Sequence, residues 1–373
     1  MIWVDTQDAL DSAMKRVASH PKVAVDTEAD SLHSYFDKVC LIQISIPGED
    51  LVIDPLRKID LSAFGAILAD GGMTKILHGA DYDLRILNRD FGFTIANVID
   101  TMICAQLLGY EAIGLAALLE RYFTITVDKT HQRADWAMRP LPRSMLEYAA
   151  SDTRNLVALA DKMREELMVI GRWDWAKEEF ARLESIRFAE KDVDGEGFRR
   201  LKGISAFDRR SLAIARALYD WRDELARSAD RPPFKIFGND IILEVARTKA
   251  ATPEALHDVK ALAPAHRRRY EREILRRVRE AMALPEESLP EKGESKPWMR
   301  DKSLETRVSK LKDIRDKKAK ELKIDPGVLA PRHVLAAIAT TGNLDEVPAM
   351  RDWQKRVLGD DLMRALGPRR PAL

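Results

Sequence analysis

The chain has very little cysteine: Cys40 and Cys104 are the only two in 373 residues. Two cysteines provide neither a disulfide framework nor the usual ligand set of a zinc site. No apolar run approaches the ~20 residues that span a bilayer. A secretory signal begins with a basic segment followed by an apolar one. Residues 1–5 do not show this pattern. These absences argue against secreted and membrane proteins, and we expect a cytoplasmic location.

Neither positive nor negative charge predominates overall, since the formal net charge is +1. The charge is nevertheless unevenly distributed. Residues 1–160 hold 15 Lys+Arg and 22 Asp+Glu, whereas the remainder holds 46 and 38. An acidic part suits carboxylates that hold divalent cations, and a basic part suits a polyanion partner. Two ordinary solvated surfaces would show the same asymmetry.

Strand and helix patterns alternate over about the first 200 residues. β-Branched and apolar runs predict strands at 23–25, 39–46, 51–53 and 75–77. The turn at Pro47-Gly48 makes the second and third of these an antiparallel hairpin. Helical periodicity covers 61–68 and 81–91. We therefore predict an α/β domain over residues 1–200, with a mixed sheet covered by helices.

Beyond about residue 198 the strand patterns stop. Helical periodicity covers 205–284 and 300–373, and the stretch between them, 285–299, is rich in Pro, Glu, Ser and Lys. Such a composition is typical of a linker. The sequence therefore predicts two small all-α domains joined by a linker.

Three short segments carry acids in patterns that suit metal chemistry. Asp26 and Glu28 lie two positions apart at the end of a predicted strand, so their side chains face the same side. Asp81 and Asp83 open a helix after the strand at 75–77. A polar strand end and the helix dipole explain these acids equally well when each segment is taken alone. His78 fits either a metal ligand or a hydrogen-bonded structural histidine.

The third segment contains Tyr148 and Asp152, which share one helix face because they are four residues apart. Many helices contain such a pair, so its value lies in combination with the other segments. Four carboxylates can hold two Mg²⁺ ions ~3.5–4 Å apart, which activate water and stabilise the leaving oxygen of a phosphodiester. Mg²⁺ prefers oxygen ligands and keeps several waters, so few carboxylates suffice.

Together the three segments resemble the Exo I, Exo II and Exo III motifs of the DEDD exonuclease superfamily. Exo II typically ends in an aromatic residue followed by Asp, which matches Tyr82-Asp83 and favours Asp83 over Asp81. In Exo III a histidine stands five residues before the last Asp, or a tyrosine four before it. Glu147 occupies the first position and Tyr148 the second, so the chain resembles the tyrosine subclass.

The stretch 127–136, followed by Arg139-Pro140-Leu141, resembles the ribonuclease D family in particular. That family implies a ribonuclease H-like exonuclease domain at 1–200 and two helicase-and-RNase-D C-terminal (HRDC) domains. We assign these to 205–284 and 300–373, with the linker at 285–299. The implied activity is a 3′→5′ exoribonuclease that trims precursor tRNA and other structured RNA and releases nucleoside 5′-monophosphates.

The resemblance also implies roles for the site residues, with two divalent cations, Mg²⁺ or Mn²⁺, as cofactors. Asp26 would bridge both ions, Glu28 and Asp152 would complete the site that binds the attacking water, and Asp83 would hold the second ion through water. Tyr148 would orient the attacking water. Its unperturbed pKa of ~10 makes it a poor general base at neutral pH.

Basic residues outside the acidic segments are candidates for RNA contacts. Lys129 and Arg133 precede the third segment, and Arg268 and Arg272 lie in a run of seven arginines over residues 267–279. Ordinary solvated charges would give the same pattern. Trp136 fits either base stacking or core packing. Few aromatics interleave the basic runs, so the expected partner is RNA with a free 3′ end held through phosphates.

Two other functions fit parts of this pattern. A DNA 3′→5′ exonuclease would use the same carboxylates, because these groups act on the metal ions and the phosphate and do not contact the 2′-hydroxyl that distinguishes RNA from DNA. A non-catalytic RNA-binding protein would be expected to lack at least one of the four acids, and all four are present. The sequence shows no motif for a protein partner and none for a membrane.

Overall fold

The computed structural model describes residues 1–128, 130–189, 195–292 and 302–366. These residues form two compact units. The larger unit takes in the described residues of 1–29, 38–188 and 300–373, and the smaller unit those of 30–37 and 189–299. Within the described ranges, no helix is both long enough and apolar enough to cross a membrane.

A six-stranded mixed sheet lies at the centre of the larger unit. Its strands are β1 (Ile2–Val4), β2 (Lys22–Ala29), β3 (Val39–Ile46), β4 (Glu49–Ile53), β5 (Thr74–Leu77) and β6 (Val98–Asp100). They are ordered β1-β4-β3-β2-β5-β6. β3 is antiparallel to both β2 and β4, and the other neighbouring pairs are parallel. The predicted mixed sheet and hairpin are confirmed, whereas the short edge strands β1 and β6 were not predicted.

In the described part of the chain, eight helices come before the smaller unit's helices and belong to the same unit as this sheet. They are α1 (Gln7–Val17), α2 (Ser62–Ala69), α3 (Asp81–Phe91), α4 (Thr101–Leu108), α5 (Leu115–Phe123), α6 (Arg143–Arg154), α7 (Leu156–Val169) and α8 (Trp173–Glu184). The bounds of α3 are those predicted. It ends at Gly92, whose φ of 72° is favourable only for a residue without a Cβ.

The smaller unit is helical. It contains α9 (Arg209–Ser228), α10 (Pro233–Ile236), α11 (Asn239–Thr248), α12 (Pro253–His257) and α13 (Pro264–Ala283). Trp221, Phe237 and Tyr270 pack edge to face or tilted in its core, with ring centroids 5.5–5.7 Å apart. Within the described residues no strand follows β6, which ends at Asp100, so the strands stop about a hundred residues before this unit's helices and earlier than the sequence predicted.

Residues 30–37, which follow β2 directly, belong to this smaller unit. The Tyr35 hydroxyl donates to Asp223 at 2.8 Å, and the backbone amides of Tyr35 and Phe36 donate to Asp230 at 2.9 and 3.1 Å. No local pattern predicts this, because the partners are nearly 200 residues apart in the chain.

The last four described helices are α14 (Lys302–Leu322), α15 (Pro326–Leu329), α16 (Arg332–Thr341) and α17 (Asp352–Leu366). They belong to the larger unit. The Trp353 indole stacks on that of Trp175 in α8 at 4.7 Å and donates to Glu179 at 2.9 Å. The assignment of residues 300–373 to a second HRDC-like domain stays a prediction, and part of the linker at 285–299 lies outside the described residues.

Candidate active site

Three carboxylates from two elements meet on one face of the sheet. Asp26 and Glu28 extend from β2, and Asp152 extends from α6. One oxygen from each lies within 4.8 Å of the other two. The spacing of Asp26 and Glu28 predicted a shared face, and the tertiary fold adds the third acid. All three ligand atoms are oxygens, which suits a hard divalent cation.

Small and hydroxyl side chains bring α6 close to the sheet. Ala149 and Ala150 are fully buried against Leu41 of β3. The Ser45 and Thr153 hydroxyls are hydrogen-bonded at 2.7 Å, which ties the helix to the same strand. The two alanines therefore let the helix approach the sheet and leave Asp152 near β2.

Asp83 reaches the end of β2 from the first turn of α3. Its carboxylate accepts a hydrogen bond from the Thr27 hydroxyl, and it is only 7% exposed. Asp81, by contrast, is half exposed and pairs with Arg85 at 2.7 Å. The geometry thus separates these two acids, and it is Asp83 that lies beside the other carboxylates.

His78, just before α3, is largely buried. Its Nδ1 lies 2.9 Å from the Thr101 hydroxyl, which itself donates to the carbonyl of Leu77. Nδ1 is therefore the protonated nitrogen. Burial lowers the pKa of His78, so the ring is neutral. His78 does not belong to the group of described residues whose ligand atoms converge, Asp26, Glu28 and Asp152, which favours the structural interpretation over a metal ligand.

Burial raises the pKa of all four acids, and repulsion from the other acids of the cluster adds to the shift for Asp26 and Glu28. Burial, with repulsion from Asp152 and Asp83, raises the pKa of Glu28 to about 9. Burial, then repulsion from its three acidic neighbours, raises the pKa of Asp26 well above its usual range. Burial raises the pKa values of Asp83 and Asp152 to about 7. The metal-free cluster is thus hard to ionise, and a divalent cation would relieve both the repulsion and the burial cost.

Tyr148 lies one helical turn before Asp152 on α6. Its ring is flanked by those of His131 and Trp136, each with its centroid 6.0 Å away. Burial, then the charges of Asp152 and Glu28, raises the pKa of Tyr148 above its usual value. The hydroxyl therefore stays protonated at neutral pH and is available as a hydrogen-bond donor. Trp136 is 2% exposed, so it packs in the core and is not a stacking platform.

Arg139 anchors the loop that carries these flanking rings. Its guanidinium donates two hydrogen bonds to the fully buried carboxylate of Asp54, at 2.6 and 2.8 Å, and a third to the Cys40 carbonyl. A planar guanidinium provides this bidentate geometry and an ammonium does not. The loop before α6 is thereby fixed to the sheet beside Tyr148.

The four basic residues proposed for RNA contacts lie in different places. Lys129 is outside the described residues, and Arg133 is exposed on the loop before α6. Arg268 and Arg272 are exposed, one turn apart on α13, and neither forms an ion pair within the described chain. Several other arginines of the run are already engaged: Arg267 with His257, Arg276 with Glu273 and Glu280, Arg277 with Glu273 and Glu224, and Arg279 with the Ala251 carbonyl.

Two residues of the site were missed by the sequence analysis. Thr27, between the acids of the first motif, donates to Asp83. Gln43 of β3 stands directly opposite Asp26. The position of Thr27 between two acids was an available signal. The position of Gln43 required the strand register, which the hairpin prediction did not specify.

The chain matches known proteins over most of its length. A family model described as 3′-5′ exonuclease matches residues 1–168, and one described as HRDC domain matches residues 211–278. The chain is 33% identical to ribonuclease D of Escherichia coli over 321 residues, 83% of this chain and 85% of that protein. It is 29% identical to ribonuclease D of Desulfotalea psychrophila, over 96% of each.

A solved structure resembles the whole chain. It is that of Escherichia coli RNase D, described as an exoribonuclease involved in structured RNA processing. The TM-score is 0.71 at 26% identity, with 99% of each chain covered.

Proposed function

The chain belongs to the ribonuclease D family and is a 3′→5′ exoribonuclease; we propose that Asp26, Glu28, Asp83 and Asp152 hold two divalent cations at its active centre. The observation that carries this proposal is the cluster of three carboxylate oxygens within 4.8 Å of one another, with Asp83 beside it. The expected products are nucleoside 5′-monophosphates, released stepwise from a free 3′ end.

The cofactors we propose are Mg²⁺ or Mn²⁺. When bound, such ions activate the attacking water and stabilise the leaving oxygen. Asp26 is the proposed ligand of both ions, as the family resemblance implies, and all three other acids contribute to raising its pKa. Glu28 and Asp152 would complete one site, and Asp83 would serve the second through water.

The chain's own groups then orient the reactants. The protonated Tyr148 hydroxyl donates a hydrogen bond to the attacking water or to a phosphate oxygen, and is not a proton acceptor at neutral pH. The Thr27 hydroxyl occupies one oxygen of Asp83 and so fixes the direction of the other. Rigid placement on β2, α3 and α6 suits chemistry that depends on positioning.

We propose RNA with a free 3′ end as the substrate, with precursor tRNA among its targets. The unpaired Arg268 and Arg272 on α13 support phosphate binding by the helical unit. The tRNA assignment rests on the family, and the cytoplasmic location rests on the sequence.

The test is digestion of matched RNA and DNA oligonucleotides, each labelled at the 5′ or the 3′ end, with Mg²⁺ or Mn²⁺. We expect 5′-labelled RNA to shorten stepwise and 3′-labelled RNA to release a labelled mononucleotide at once. Asp26→Asn should abolish both while keeping the wild-type circular dichroism spectrum. Internal cleavage, or an active Asp26→Asn, would refute the proposal. Equal or faster digestion of DNA would favour the DNA exonuclease alternative.

A further inference from the structure

A buried amide beside the carboxylate cluster is left without partners. Gln43 is 0% exposed, and neither its Nε2 nor its Oε1 has a hydrogen-bond partner within the described structure. Burying an amide without hydrogen bonds is unfavourable, and most buried side-chain amides are bonded. An unsatisfied amide of this kind points to a group that binds there.

The strand register places this amide next to the proposed bridging ligand. Gln43 of β3 is directly opposite Asp26 of β2, and Val52 of β4 is opposite Gln43 on its other side. Directly opposed residues in an antiparallel pair project to the same face, with Cβ atoms ~4.5–5.5 Å apart. A glutamine side chain is long enough to reach the flank of the neighbouring carboxylate.

Helix α6 covers the face of the sheet on which Gln43 and Asp26 lie. Alternate residues of a strand share a face, so Leu41 and Ser45 project on the same side as Gln43. Leu41 packs with the buried Ala149 and Ala150, and Ser45 is bonded to Thr153. Gln43 therefore lies under the helix that carries Tyr148 and Asp152, out of reach of the RNA.

We propose that Gln43 is a positioning residue for the metal site. Its Nε2 donates to one buried water that in turn donates to the Asp26 carboxylate, and so holds that carboxylate in the orientation in which it would bind the cations. This inference rests on the proposed function. Asp26 already accepts a backbone hydrogen bond from Thr27 beside the acids Glu28, Asp83 and Asp152, and Gln43 supplies a neutral donor on the flank that faces β3.

The variant that tests this is Gln43→Met, which keeps the length of the side chain and removes both polar atoms. Methionine has nearly the same volume as glutamine, so we expect the variant to fold, with a melting temperature close to that of the wild type. Supporting groups behind metal ligands typically change metal affinity or activity by ~10–100-fold. We expect Mn²⁺ affinity of the metal-free protein, measured by electron paramagnetic resonance, to fall at least ~10-fold.

The kinetic readout separates positioning from substrate binding. Since Gln43 is buried, kcat for a short RNA should fall ~10-fold or more at saturating Mn²⁺, with KM changed less than about twofold. The matched control is Ile44→Val, a fully buried neighbour that faces the other side of β3. It should lower stability slightly and leave Mn²⁺ affinity and kcat unchanged.

Each result decides between the two proposals. Wild-type protein that binds no Mn²⁺ would overturn the proposed metal site and this inference with it. Wild-type binding together with unchanged Mn²⁺ affinity and kcat in Gln43→Met would overturn this inference alone. If Gln43→Met does not fold, Gln43→Asn, which shortens the amide by one methylene, is measured in its place. Wild-type values in that variant would equally overturn the role of Gln43.

Discussion

Replacing Asp152 with asparagine should stabilise the metal-free protein while removing its activity. Burial raises the pKa of Asp152 from 3.8 to about 7. One pKa unit corresponds to ~1.4 kcal/mol, so the ionised side chain destabilises the metal-free fold by at most ~4 kcal/mol at pH 8. Asparagine is nearly the same size and stays neutral, and it therefore avoids this cost.

The effect of Asp152→Asn depends on pH, with a sign set by the direction of the pKa shift. Because the folded-state pKa lies above the unfolded value, the folded protein binds more protons between the two values, and its stability falls as pH rises from about 4 to about 7. The advantage of Asp152→Asn should therefore grow by up to ~3 kcal/mol between pH 5 and pH 8.

The measurement is urea unfolding in EDTA at both pH values, followed by tryptophan fluorescence, for wild type and Asp152→Asn. Added Mn²⁺ should raise wild-type stability at pH 8 and have little effect on the variant, because ligands that bind only the folded state stabilise it. The control is Asp174→Asn, since Asp174 is exposed and Lys177 lowers its pKa. An advantage of Asp152→Asn that is the same at pH 5 and pH 8 would refute the reasoning.

Two further predictions concern the arginines. Replacing Arg268 and Arg272 together with alanine should weaken RNA binding and reduce the slope of log K against log salt concentration by ~1.4, if each contacts one phosphate of a single strand; fluorescence anisotropy over a salt series measures both. Arg139→Met leaves the buried carboxylate of Asp54 without its bidentate partner. It should lower the free energy of unfolding by ~3 kcal/mol in urea, because the buried charge loses its two short hydrogen bonds to a cation.

Matched controls exist for both arginine predictions. Arg276 already pairs with Glu273 and Glu280 on its own helix, so Arg276→Ala should leave the salt slope unchanged. Arg57 also approaches Asp54, but at 3.6 Å and from an exposed position, and Arg57→Met should cost less than ~1 kcal/mol. An equal effect of Arg276→Ala or Arg57→Met would contradict the corresponding argument.

The local part of the fold was predictable because helices and strands follow short-range patterns. The α3 bounds and the β3–β4 hairpin followed from apolar periodicity and turn residues. β6 was missed because three residues are too few to show a period. It nevertheless ends at Asp100, whose side chain caps α4.

The candidate site also has a part that local patterns determine and a part that they do not. Asp26 and Glu28 share a strand face by their spacing, and Tyr148 and Asp152 share a helix face, so each pair was determined locally. Which of Asp81 and Asp83 belongs with them was not. The sequence alone favoured Asp83 only by resemblance, whereas in the structure the bond from Thr27 and the burial of the side chain distinguish it.

The sequence by itself determined the chemistry available to this protein. It supplies four acids and a tyrosine on elements whose periodicity sets the direction of each side chain, and a basic helical region that follows them in the chain. Only the tertiary structure decided that acids more than 100 residues apart meet within 4.8 Å, and that Gln43 is buried beside them with no hydrogen-bond partner among the described residues. It also decided that residues 30–37 belong to the helical unit and residues of 300–373 to the unit with the sheet. The physical reason is that side-chain direction depends on neighbours a few residues away, whereas proximity and burial depend on how whole elements pack.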